Sequence, residues 1–205
     1  MFSHVTRRGL PYVIALAMTS ALVIGCGQPS QPPASQSAPA AAPVPTAQSA
    51  VERGKYLTTI GGCHDCHTPK NLGPNGPEPD MTKMLSGHPE AMKMPAPPRI
   101  GPNDPWAIVT NPMLTAWNGP WGVSFAANLT PDQNTGLGIW TEDMFMNAIR
   151  QGKHMGVSRP ILPPMPWQVY AAMPDEDLKA VWAFLRSIPP ITNHVPDPIP
   201  PAGSK

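Results

Sequence analysis

The sequence is poor in charge. Of 205 residues only 13% are charged, 14 Lys and Arg against 13 Asp and Glu, for a formal net charge of +1. No basic stripe is present, so nucleic acid is not an expected partner. Cysteine is scarce as well, with three residues, and each takes a covalent role below that leaves none for a disulfide. Long hydrophobic runs are missing: the uncharged apolar stretch at residues 9–25 has 17 residues, short of the ~20 that a spanning helix needs. The segment 68–118 offers no acid–base pair and no nucleophile for a substrate pocket, so an enzyme is not expected. Proline is the one residue in excess, with 31.

What is there centres on Cys63-His64-Asp65-Cys66-His67. Two thiols separated by two residues and followed by an imidazole have the spacing at which c-type haem is attached. Each sulfur can add to one vinyl group of the porphyrin, and His67 is then held under the ring as proximal ligand. A zinc half-site is the first competing reading, but Cys26 is the sole remaining cysteine and zinc needs further ligands. A thiol–disulfide redox pair is the second, but the βαβ pattern expected around such a pair is absent. One covalent haem c is therefore the expected cofactor.

The N-terminus reads as an export signal. Arg7 and Arg8 precede the apolar stretch, which ends in Val23-Ile24-Gly25-Cys26. That ending resembles the lipobox of bacterial lipoproteins, and the resemblance implies cleavage before Cys26 and lipid attachment there. An ordinary cleaved signal or an uncleaved signal anchor are the plainer readings. Residues 27–50 contain six prolines and no charge. Such a segment cannot bury enough surface to offset the entropy of ordering it, and reads as a tether. At ~3.1 Å per residue it reaches up to about 70 Å; a passive spacer is the plainer alternative. The expected division is thus 1–25 signal, 26–50 anchored linker, 51–192 folded domain and 193–205 Pro-rich tail.

Three helices are predicted. The first runs over 51–60 and is broken by Gly61-Gly62. A second covers 141–151, with Thr141 as cap, Glu142 and Asp143 behind it and Gly152 at its end. A third starts at Asp175, carries apolar residues at 178, 181, 182 and 185, and stops at Pro189-Pro190. Arg53-Gly54-Lys55-Tyr56-Leu57 followed by the thiol motif resembles the first helix of class I cytochromes c. In that fold the N-terminal helix crosses the C-terminal one where a glycine permits close approach. The resemblance implies an all-α cytochrome c fold, with the face of Trp182 and Leu185 meeting Gly54, Tyr56 and Leu57.

A narrower resemblance follows from Asn128-Leu129-Thr130-Pro131-Asp132, then Thr135-Gly136-Leu137-Gly138-Ile139-Trp140, then a helix ending in Arg150-Gln151-Gly152. These stretches resemble single haem domains of the cytochrome c subunits of membrane-bound alcohol and aldehyde dehydrogenases. The match covers 51–70 and about 119–192. Those subunits often hold three haem domains, whereas this chain carries one haem motif.

Twelve methionines make counting useless for the second axial ligand. Met165 lies among Pro163, Pro164 and Pro166, whose fixed φ stiffens the loop. Its position matches the axial methionine of the related domains, and the resemblance makes it the iron's sulfur ligand. His154, Met155, Met173 and His88 are its rivals. His64 is expected to face solvent. A proline carbonyl of Gly73-Pro74-Asn75-Gly76-Pro77 is expected to accept from His67.

Residues 68–118 fit the family least. Their methionines and tryptophans read by default as core, and alternatively as a cover for the haem edge or a docking surface. The tail after Ile188 is expected to pack in extended form or to remain mobile. The combined expectation is a lipid-anchored electron carrier on the periplasmic side of a bacterial membrane. Its partners would be a dehydrogenase or quinol-linked donor and an oxidase or another cytochrome. A haem enzyme or gas sensor with an open distal site is the alternative, and an assembly subunit is a third.

Overall fold

The computed structural model describes residues 47–100 and 105–201. The signal at 1–25, Cys26 and the tether up to residue 46 lie outside the described residues. Helix α1 spans Ala47–Ile60 and so begins inside the last residues assigned to the tether. A short helix α2, Cys63–His67, follows directly. Helix α3 covers Glu142–Gln151, α4 Trp167–Tyr170 and α5 Asp175–Ser187. The termini of α3 are those expected: the Thr141 hydroxyl accepts from Met144 N at 3.2 Å, and Gly152 closes the helix at φ 65°.

Among the described residues five strands accompany these helices and overturn the all-α expectation. Strands β1 (Lys70–Gly73) and β2 (Gly76–Pro79) form an antiparallel hairpin, with Gly73 opposite Gly76. Strands β3 (Val109–Thr110), β4 (Ala116–Gly119) and β5 (Gly122–Phe125) form a second antiparallel sheet. The fold is mixed α/β. All five strands come from residues 70–125, where glycine- and proline-rich turns reverse the chain too often for helix. The near-helical spacing of Met81 and Met84 produces a single 3₁₀ turn, Met81–Lys83, before Leu85 turns into the core.

The core gathers Leu85, Leu137, Phe145, Ile149, Leu178, Trp182, Phe184, Leu185 and Ile188. Helices α1 and α5 cross where Gly54 lies: a Cβ there would sit 1.9 Å from the Ala180 carbonyl oxygen and 2.8 Å from Phe184 Cβ. The close approach is as expected, but the faces differ. Ala180 and Phe184 meet α1, whereas Trp182 stacks on Phe145 of α3 at 5.4 Å between centroids. Helix α5 is buried on more than one side: Ala180 and Phe184 are buried as well as Leu178, Trp182 and Leu185 of the expected stripe. Tyr56 is exposed, with the Arg53 guanidinium 6.0 Å from its ring, while Leu57 is buried. Arg53 also pairs with Asp177 of α5 at 2.9 Å.

The tail packs in extended form. Val123 and Ile199 exchange two backbone hydrogen bonds at 2.7 and 2.9 Å, which adds the tail to the edge of β5. Asn193 Nδ2 donates to the carbonyls of Ser86 and His88 at 2.6 and 2.9 Å. Among the described residues no helix is long and apolar enough to cross a membrane.

Candidate functional site

Helix α2 is one turn of chain carrying Cys63, Cys66 and His67. Both cysteines are free and half-buried. Burial is the main cause that raises both thiols, Cys63 up to about 11. The turn is held at both ends. The Tyr170 hydroxyl donates to the Gly61 carbonyl at 2.6 Å, just before Cys63. Lys70, 8% exposed, donates through Nζ to the Asp65 carbonyl. His64 is half-buried, its Nδ1 3.0 Å from Thr68 Oγ1, rather than facing solvent.

His67 is 9% exposed, and its Nδ1 donates to the Ala127 carbonyl at 2.8 Å. Burial lowers its pKa and holds the ring neutral, which is the form that ligates a metal. With the proton on Nδ1, Nε2 carries the free lone pair. The acceptor is not a proline of the 73–77 turn. That turn closes the β1–β2 hairpin, and the Pro69 carbonyl before it accepts from Asp80 N at 2.7 Å.

The Ala127 carbonyl arrives by way of a third segment. Gly87 N donates to the His67 carbonyl at 2.7 Å, and His88 N donates to the Ala126 carbonyl at 2.9 Å. Residues 87–88 thus lie between α2 and residues 126–127. A Cβ on Gly87, whose φ is +80°, would come within 2.7 Å of the Ala127 carbonyl oxygen. Only glycine permits this spacing.

Met165 is half-buried and lines a cavity of about 380 Å³ with Ile161, Pro163, Pro164, Pro166, Trp167 and Gln168. It packs on the same core as Cys63 and Tyr170. Tyr170, five residues on, is the group that bonds to Gly61, so the Met165 loop and the thiol motif are tied together. Burial raises the Tyr170 hydroxyl's pKa, and the Cys63 and Cys66 thiols add to that.

The rivals lie as follows. His88 is fully buried, with Nδ1 2.9 Å from the Thr115 hydroxyl and Nε2 3.2 Å from the Met92 carbonyl. His154 stands edge-on to Trp140 at 5.1 Å. Met173 packs against the core, and Met155 sits at φ 55° in a 3₁₀ turn. Among the described residues no group of three or more His, Cys, Asp and Glu could hold a metal ion. Among those residues the two thiols therefore lack the further ligands that zinc needs.

No family model matches the chain. Curated proteins do. It is 30% identical over 142 residues to the gluconate 2-dehydrogenase cytochrome c subunit of Pantoea cypripedii, covering 69% of this chain and 24% of that protein. It is 27% identical over 172 residues to the fructose dehydrogenase cytochrome subunit of Gluconobacter japonicus, covering 83% and 27%. Its homologues are cytochrome c subunits of dehydrogenases. A third, the alcohol dehydrogenase (quinone) cytochrome c subunit of Gluconobacter oxydans, is 24% identical over 153 residues, covering 73% and 24%. The chain spans about a quarter of the length of these curated relatives.

Cytochrome c homology implies haem c, and the residues present fit it. Two unpaired thiols at the attachment spacing stand beside a neutral, buried imidazole whose Nδ1 is already bonded. The stretch Asn128–Asp132 has a structural task. Asn128 Nδ2 donates to the Ile191 carbonyl at 2.8 Å, and its Oδ1 accepts from Thr130 N at 3.0 Å. Sequence reasoning missed Ala127, Gly87 and Tyr170. The first acts through a backbone carbonyl, which no residue type signals.

Proposed function

We propose that the chain is a single-haem c-type cytochrome that carries electrons and catalyses no reaction of its own. Cys63 and Cys66 hold the haem, His67 is the proximal ligand and Met165 the second. The observation that carries the reading is the buried His67 imidazole, oriented by Ala127 at 2.8 Å immediately after two unpaired thiols. The haem supplies a one-electron change between Fe(II) and Fe(III). His67 is kept in the neutral, Nδ1-protonated form that donates through Nε2. The Pro-rich loop restricts Met165, and with His67 and Met165 both holding the iron, the group would offer no vacancy to a substrate. His/Met ligation raises the potential relative to two nitrogen ligands.

The donor on this reading is a dehydrogenase or quinol-linked complex and the acceptor an oxidase or another cytochrome, in line with the dehydrogenase cytochrome subunits it resembles. The lipobox-like ending at Cys26 supports a lipid anchor, on the periplasmic side of a bacterial membrane. The deciding experiment is the absorption spectrum of the dithionite-reduced protein before and after carbon monoxide. The expected result is no change in the unmutated protein and rapid binding in Met165→Ala. Rapid binding by the unmutated protein would replace the carrier with a haem enzyme or gas sensor.

A further inference from the structure

The loop that carries Met165 is poorly equipped to hold itself. Pro163, Pro164 and Pro166 have no N–H. At its start Ile161 N donates to the Gly152 carbonyl at 2.8 Å, and at its end Trp167 N donates within the loop, to the Met165 carbonyl at 2.9 Å. Between those points the loop is gripped through a carbonyl. Ser124 of β5 donates from Oγ to the Pro163 carbonyl at 2.5 Å, two residues before Met165. The same Oγ accepts from Trp121 Nε1 at 3.2 Å, which directs its proton toward Pro163. Ser124 is 6% exposed.

Strand β5 is itself anchored. Its neighbouring residue Val123 is paired on both backbone groups with Ile199 of the tail. The other edge of β5 pairs with β4, where Trp117 lies opposite Ser124. The hairpin is thus fixed on both sides and presents one hydroxyl to the proline loop.

We propose that Ser124, oriented by Trp121, is the positioning residue for Met165, and that the β4–β5 hairpin braces the iron's sulfur ligand. The inference rests on the His67/Met165 reading above. A thioether brings no charge to the iron, so its occupancy depends on how far the loop is restricted before the bond forms. A hydroxyl–carbonyl bond of ordinary net strength changes such an equilibrium about 2- to 10-fold. Any external ligand that must displace Met165 gains by the same factor.

The test is a titration of the full-length ferric holoprotein with imidazole, following the loss of the sulfur-to-iron charge-transfer band. Ser124→Ala is expected to bind imidazole about 2- to 10-fold more tightly than the unmutated protein. Trp121→Phe is expected to shift in the same direction by less. Arg53→Ala, which breaks the α1–α5 surface pair, is expected to lower the denaturation midpoint and leave imidazole affinity unchanged. Unchanged affinity in Ser124→Ala, with the band present in the unmutated protein, overturns the brace alone. Absence of the band from the unmutated protein overturns the His67/Met165 reading and the brace with it.

Discussion

The Nδ1 proton of His67 goes to the carbonyl of Ala127, a residue 60 positions further along the chain, at 2.8 Å. This bond draws electron density through the ring toward Nε2 and fixes the ring's orientation. Gly87 is the spacer that lets the two residues meet, since its backbone bonds to His67 on one side and abuts Ala127 on the other.

With His67 as the proposed iron ligand, Gly87→Ala should act on the iron without touching it. A Cβ at φ +80° is strained and would push the Ala127 carbonyl away from the imidazole. We expect a stability loss on the order of 1–3 kcal/mol and a raised reduction potential, because a weaker hydrogen bond makes His67 a poorer donor to Fe(III). Redox titration alongside urea denaturation checks both. A destabilised protein with an unmoved potential would show that the spacing does not govern the ligand.

Thr58 is fully buried in α1, and its hydroxyl has no hydrogen-bond partner among the described residues. Thr58→Val keeps the shape and removes the unpaired oxygen. The expected gain is about 1–3 kcal/mol, read as a higher midpoint in urea. A lower midpoint would mean that the hydroxyl is satisfied in solution.

Asn193 joins the tail to the segment that carries Gly87, through the Ser86 and His88 carbonyls. Asn193→Ala leaves two carbonyls without that donor and should cost about 1–3 kcal/mol. Amide hydrogen exchange should show faster exchange at Val123 and Ile199 if the tail loosens as one piece.

Asp132 accepts from Thr135 and Thr192, which lower its pKa from 3.8 to about 2. A carboxylate whose folded pKa lies below its unfolded value contributes stability above the unfolded pKa. That contribution is fully present above about pH 4 and is lost as pH falls toward 2. Asp132→Asn should flatten the fall in denaturation midpoint between those limits. An unchanged slope would assign acid sensitivity in this range to other carboxylates.

The thiol–imidazole motif was legible because haem attachment depends on spacing along five consecutive residues. The helices at 142–151 and 175–187 were legible for a related reason. Their caps and apolar periods are local, and Thr141, Gly152 and Pro189 mark their ends in the sequence itself. The strands of residues 70–125 were not. Their pairings are short, and the buried polar group of His88, Thr115 and Asn111 that supports them spans 27 positions between His88 and Thr115.

The sequence alone determined the chemistry this chain can hold: two thiols, an imidazole and a proline-stiffened methionine. The tertiary structure decided what surrounds them. Which carbonyl meets His67, which hydroxyl grips the Met165 loop and which face of α5 meets Gly54 depend on segments far apart in the chain. A backbone carbonyl has the same chemistry in every residue, so only its position in the folded protein distinguishes Ala127 from the prolines near residue 74.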